Sequence, residues 1–163
     1  MQLRKNTAFI TGGGSGIGLA LAKEIDINFR ANVRLTKLFL PILMEAHEAA
    51  IINVSSFLGI VPKKDSPGYC ASKAAIHAFS KALRYRLEDS PVKVFEIIPP
   101  IVDTPMTKRL GPSVPKMSPE SLAKEVFLGL KKDKYEIHPG KTKNALLINR
   151  FFPAYTERMA KKR

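Results

Sequence analysis

Residues 51–73 read Ile51-Ile52-Asn53-Val54-Ser55-Ser56-Phe57-Leu58-Gly59-Ile60-Val61-Pro62-Lys63-Lys64-Asp65-Ser66-Pro67-Gly68-Tyr69-Cys70-Ala71-Ser72-Lys73. The opening run is short, apolar and rich in β-branched residues, the pattern of a buried strand, and it stops at the polar pair Ser55-Ser56. Pro67 stands near a helix start, where its missing N–H costs nothing. Beyond it Ala71, Ala74, Ala75, Ala78, Phe79, Ala82, Leu83 and Leu87 fall on adjoining faces of one long helix. So many alanines suit close packing against another helix or subunit. Tyr69 and Lys73, four apart, share a face of that helix.

Upstream, Thr7-Ala8-Phe9-Ile10 reads as a buried strand running into Thr11-Gly12-Gly13-Gly14-Ser15-Gly16, and Ile17, Leu19, Ala20, Leu21, Ala22 and Ile25 suit a helix packed on a sheet. Residues 27–48 favour helix, with Leu35, Leu38, Phe39, Ile42 and Leu43 at helical spacing. The alternation across Ile25-Asp26-Ile27-Asn28-Phe29 also suits a strand, and pattern alone leaves that choice open. Downstream, Val92 to Ile98 is a strand stopped by Pro99-Pro100. Residues 103–118 have the composition of a mobile loop. Ser118-Pro119 is an N-cap with a first-turn proline, opening a helix through Leu130. Lys134 to His138 suits a last strand, and the tail from Ala145 a helix broken near Pro153. There is no repeat and no internal linker. Strands alternating with helices predict a parallel α/β sheet in one domain over residues 1–163.

At 163 residues, 45% hydrophobic and 25% charged, the chain is long and apolar enough to bury a core and is not of disordered composition. One cysteine, Cys70, excludes an internal disulfide, so nothing argues for an oxidising compartment. No signal peptide is visible, and the longest apolar run, Leu38 to Met44, is too short to span a bilayer and contains Pro41. A soluble cytoplasmic protein is expected. The net charge of +13 suits attraction to nucleic acid or an anionic membrane. The charges are dispersed, however, without aromatic interleaving, and read as a solvated basic face with a basic tail from Arg158 to Arg163. Neither nucleic acid nor membrane is therefore expected as a partner, and no metal site is expected.

A glycine-rich turn between strand and helix brings backbone close to a pyrophosphate, and the helix N-terminus offers unpaired N–H groups and a positive dipole end. Here the spacing is Thr11-Gly12-x-x-x-Gly16-x-Gly18; alone it also suits an ordinary turn. A phenol titrates near pH 10. An ammonium about 4 Å away, at an effective dielectric of about 20, would stabilise the phenolate by roughly 4 kcal/mol before desolvation opposes it. Lys73 could thus bring Tyr69 into the range of general acid/base catalysis. Ser56, at a strand end, could hydrogen-bond and polarise a substrate carbonyl.

Together these pieces resemble the short-chain dehydrogenase/reductase family. Its Thr-Gly-x-x-x-Gly-x-Gly corresponds to Thr11 to Gly18, its serine-ending strand to Ile51 through Ser56, and its Tyr-x-x-x-Lys to Tyr69 and Lys73. Its asparagine on the preceding helix corresponds to Asn28. Its Pro-Gly-x-Val-x-Thr, which contacts the nicotinamide end, corresponds to Pro99-Pro100-Ile101-Val102-Asp103-Thr104, with proline where glycine is usual. The wording is most similar to the subgroup named after DltE. The resemblance implies an incomplete Rossmann-like, doubly wound parallel sheet and an NAD- or NADP-dependent oxidoreductase acting on a carbonyl or secondary alcohol. It implies Tyr69 as acid/base, Lys73 as the group that lowers the tyrosine's pKa and holds the nicotinamide ribose, Ser56 as carbonyl orienter and Asn28 as anchor of a relay water. Thr11, Gly12, Ser15, Gly16, Ile17, Gly18, Tyr69, Lys73, Pro99, Val102 and Thr104 would contact the cofactor.

The departure is equally specific. Strands 2 to 4 of the family pattern, roughly 75 to 80 residues with the one that reads the adenosine ribose, are missing. Glu24 runs almost at once into Ile25-Asp26-Ile27-Asn28, placing a deletion near residues 24–26 and fusing the glycine-loop helix to the asparagine helix. After such a loss the remaining strands must pair directly, or leave an unpaired edge and exposed apolar surface. An inactive, shortened relative acting as an interaction module is the alternative function. In the family, helices corresponding to residues 29–48 and 68–88 commonly form subunit interfaces, which implies a homo-oligomer.

Overall fold

Local pattern and long-range pairing agree over most of the chain. The computed structural model describes residues 22–161. The strand expected at Thr7–Ile10 and the glycine loop with Thr11, Gly12, Ser15, Gly16, Ile17 and Gly18 lie outside the described residues.

Residues 22–25 are helical and lead into a π-helical turn, Asp26–Arg30, and then helix α1, Ala31–Met44. The alternating stretch Ile25 to Phe29 is therefore helix. The Ala31 amide donates to the Asp26 carbonyl five residues back, a wide turn that admits one extra residue without breaking the helix. The turn sits at the join where the deletion is expected, and it carries Asn28. Across it Arg30 pairs with Asp26 at 2.7 Å.

Strand β1, Ala49–Val54, is followed by a 3₁₀ turn, Phe57–Gly59, and helix α2, Pro67–Arg86. Strand β2, Val92–Ile97, pairs parallel with β1 from Ala49↔Val92 to Val54↔Ile97. Helix α3, Pro119–Leu130, is capped by Ser118, whose side chain accepts from the Ser121 amide at 3.1 Å. It leads to β3, Glu136–Ile137, parallel to β2. Helices α4, Thr142–Phe151, and α5, Pro153–Lys161, end the described chain, divided at Pro153 as expected. The strand order is β1-β2-β3.

The alternation of a pleated strand sends Ala49, Ile51 and Asn53 of β1, with Val92, Val94 and Glu96 of β2, to one face. There Leu83, Leu87, Val92 and Val94 form a buried cluster, flanked by Leu40, Leu43, Ile51 and Phe79. Removing each such side chain from water is worth about 1.5–3 kcal/mol. Ile97 and Ile137, paired in register, point to the other face. A Cβ built at Gly129 of α3 would lie 2.9 Å from Ile137 carbons, so α3 packs closely there. Helices thus cover both faces of a partial doubly wound sheet. Beside β1 the second cover is thin: Ile52 and Val54 remain about half exposed.

The segment 103–118 carries more structure than its composition predicts. Its 3₁₀ turn, Pro105–Leu110, is closed by a reciprocal cap between Thr104 and Thr107. Val102 pairs with Met117, through Asp103 N–H to Met117 O and Met117 N–H to Ile101 O, each 2.8 Å.

Candidate active site

Ser55 continues β1 by donating its amide to the Ile97 carbonyl at 3.0 Å, which brings Ser56 and the Pro99–Thr104 segment off the same carboxyl edge of the sheet. In open α/β sheets that edge is where ligands bind. Ser56 caps the turn Phe57–Gly59: its Oγ accepts from the Leu58 amide at 3.2 Å. That bond uses a lone pair and leaves the hydroxyl hydrogen to donate elsewhere.

Tyr69 lies in the first turn of α2 and is half-buried. Lys73 sits one turn later, its Nζ 5.7 Å from the Tyr69 ring centre, and donates to the Val54 carbonyl at the end of β1 at 2.9 Å. Asn28 reaches this turn from the π-helical segment. Its Nδ2 donates to Ser72 Oγ at 3.1 Å, and Ser72 Oγ donates to the Tyr69 carbonyl at 2.8 Å. Asn28, Ser56, Tyr69 and Lys73 are therefore brought together. Pro99, Val102 and Thr104 follow from the neighbouring strand, with the Val102 carbonyl and the Thr104 amide both bonded to Thr107 Oγ1.

The electrostatics differ from the simple ammonium–phenol estimate. Burial pushes the Tyr69 phenol up from its ordinary value; the Ser56 hydroxyl pulls the other way, and the Glu24 carboxylate adds to the rise. The expected lowering by Lys73 is not what this geometry produces. Its ammonium is engaged on the Val54 carbonyl, and desolvation of the phenol dominates. Burial likewise lowers the Lys73 ammonium, with Glu24 opposing.

Glu24 is a site residue that sequence reasoning passed over. It accepts from Asn28 Nδ2 at 2.5 Å. Its four-residue spacing from Asn28 was the available signal, and only the helical reading of residues 22–30 makes that spacing meaningful.

A second constellation holds α2 to the sheet. Glu96 of β2 is 0% exposed, and His77 Nδ1 lies 3.0 Å from both of its carboxylate oxygens. Nearby, Arg84 donates to the Val94 and Tyr135 carbonyls and pairs with Glu136 at 3.4 Å. Asn53 donates to Ser80 Oγ at 2.9 Å. The bond to Glu96 raises the His77 pKa, supported by the Glu96 and Glu136 charges and opposed by burial and Lys81. A histidine held above its unfolded value of about 6.5 contributes stability that is complete below that pH and is lost as pH rises through the folded value. His138 behaves oppositely, since burial lowers it and its contribution declines as pH falls below about 6.5. Urea midpoints of wild type and His77→Gln should therefore converge as pH rises from 6 to 9. Parallel pH profiles for the two proteins would show that the pair does not act this way.

Comparison with known proteins places these features in context. The family model described as short chain dehydrogenase matches residues 23–114. The chain is 43% identical over 118 residues to the uncharacterized oxidoreductase DltE of Bacillus subtilis, covering 70% of this chain and 47% of that protein. It is 33% identical over 112 residues to an uncharacterized oxidoreductase of Staphylococcus aureus, covering 68% and 48%. The chain thus spans about half the length of these relatives. Among solved structures, a short chain dehydrogenase from Burkholderia cenocepacia in complex with NADP superposes with a TM-score of 0.82 at 23% identity, covering 90% of this chain and 61% of that one. One from Sphingobium yanoikuyae in complex with NADPH gives 0.69 at 22% identity, covering 91% and 60%.

Proposed function

Because the chain belongs to the short chain dehydrogenase family, we propose that it serves as an NAD- or NADP-dependent oxidoreductase acting on a carbonyl or secondary alcohol. The observation that carries this reading is the convergence of Asn28, Ser56, Tyr69 and Lys73 at the carboxyl edge of the sheet. When bound, the nicotinamide supplies or accepts the hydride. The relatives in solved structures carry NADP or NADPH, which supports the cofactor class.

The donor set suits the nicotinamide end of such a cofactor. Lys73 spends one of three N–H bonds on Val54, and the others suit ribose hydroxyls. Tyr69 delivers its phenolic proton to the substrate oxygen in reduction and takes it back in oxidation. Ser56, its lone pair held by Leu58, donates to the same oxygen. Asn28, its two Nδ2 hydrogens donated to Glu24 and Ser72, holds the Tyr69 turn and leaves its Oδ1 to accept from a relay water. Pro99, Val102 and Thr104 would border the nicotinamide, and Thr11, Gly12, Ser15, Gly16, Ile17 and Gly18 would hold the pyrophosphate. We place the enzyme in the cytoplasm as one domain over residues 1–163, shortened near residues 24–26. Intact mass compared with the encoding DNA tests that shortening.

A fluorescence titration with NADH and NADPH tests the reading, and saturable binding of at least one is expected. A folded sample without saturable binding would leave the alternative, a non-catalytic interaction module. The exposed stripe Leu35, Leu38, Phe39 and Ile42 on α1 supports self-association through residues 29–48 and 68–88 in either case.

A further inference from the structure

The C-terminal helices have an inner and an outer side of contrasting chemistry. Inside, Thr142 and Thr156 are buried, and Thr156 Oγ1 bonds Asn149 Oδ1 at 2.6 Å, pinning α5 to α4. Outside, Leu147, Ile148 and Phe151 share one flank of α4, Tyr155 and Met159 lie one turn apart on α5, and Phe152 stands at the corner between them. All six are exposed, Phe151 and Phe152 to 65%. Lys143 and Arg150, seven residues apart, border that flank of α4, and the Arg150 guanidinium lies 6.0 Å from the Phe151 ring centre. Residues 141–163 hold seven Lys or Arg and one acidic residue, Glu157. Lys161 lines the same open hollow as Lys63 and Lys64 from the loop before α2, where Lys63 is paired with Asp65 at 3.5 Å.

We propose that this outer side of α4–α5 docks on an anionic lipid bilayer surface. An apolar stripe of phenylalanine and aliphatic side chains, bordered by cations, matches the two layers of a membrane interface, acyl boundary and charged headgroups. A polyanion such as nucleic acid would satisfy the cations but offers nothing to Leu147, Ile148 or Met159. A second copy of the chain would cover the stripe but would set like charges against each other. No helix among the described residues is long and apolar enough to cross a membrane; the docking proposed is through the outer side of α4–α5. This departs from the expectation, drawn from dispersed charge, that no membrane partner is involved; the exposed stripe becomes visible only once the inner side of the helices is known.

Co-sedimentation of the full chain with vesicles provides the test. Binding is expected to phosphatidylglycerol-rich vesicles, to weaken with salt, and to be lower on phosphatidylcholine alone. The double variant Phe151→Ser/Phe152→Ser should weaken it at least about tenfold by removing apolar contact. Arg150→Glu/Arg158→Glu should weaken it roughly fivefold or more per charge removed. All four side chains are exposed, and unchanged circular dichroism and melting would confirm folding. Absence of binding to phosphatidylglycerol-rich vesicles would overturn the proposal. So would equal binding to both vesicle types, or binding unaffected by the Phe variant. Displacement from vesicles by duplex DNA in the Phe variant as in wild type would assign the surface to nucleic acid instead. A wild-type dimer that the Phe variant converts to monomer, with no vesicle binding, would assign it to a second copy.

Discussion

Tyr69→Phe is expected to lower kcat for carbonyl reduction by about 100-fold or more while leaving the fold intact, since a positioned general acid contributes on that order. The substitution removes one oxygen and keeps the ring that packs beside Lys73. Because burial holds the phenol above its ordinary value, it is protonated at neutral pH, and reduction has its proton in place. Oxidation needs the phenolate, so its rate should climb with pH over the whole range below the tyrosine's titration, and the variant should lose that climb. Steady-state rates in both directions against pH, with cofactor titration and circular dichroism as controls, check both statements. A variant that keeps wild-type turnover would remove Tyr69 from the acid/base role. One that loses cofactor binding as well would reassign Tyr69 to binding.

Gly59→Ala is expected to lower the melting temperature by about 2–12 °C, the size of a core overpacking penalty of about 1–3 kcal/mol in a domain of this length. Gly59 ends the turn that Ser56 caps. A Cβ there would lie 2.7 Å from the Lys73 carbonyl carbon and 2.8 Å from both the Lys73 oxygen and the Ala74 nitrogen. These are backbone atoms of α2, which cannot swing aside as a flexible side chain could. Relief requires the turn or the helix to move, and either motion displaces Ser56 from Tyr69. Activity should therefore fall further than the loss of folded protein explains. Thermal melts, with turnover measured well below the transition, separate the two effects; a melting temperature within about 2 °C of wild type would show that the approach is looser than the geometry requires.

What the sequence determined by itself was local. The β-branched run Ile51 to Val54 is a strand, Pro67 opens a helix, and Ser118 caps another, because period and cap are written within a few neighbouring residues. The shared face of Tyr69 and Lys73 follows from the same 3.6-residue period. Where local signals competed, as across Ile25 to Phe29, they could not choose, and the π-helical turn was settled by continuity with α1. Tertiary structure alone decided the rest. The bond of Asn28 to Ser72 spans 44 residues and that of His77 to Glu96 spans 19, and neither spacing has a periodic signature. The Tyr69 phenol is raised rather than lowered because desolvation sums over every element packed around it, and the extent of that burial is set by tertiary packing, which the sequence does not display.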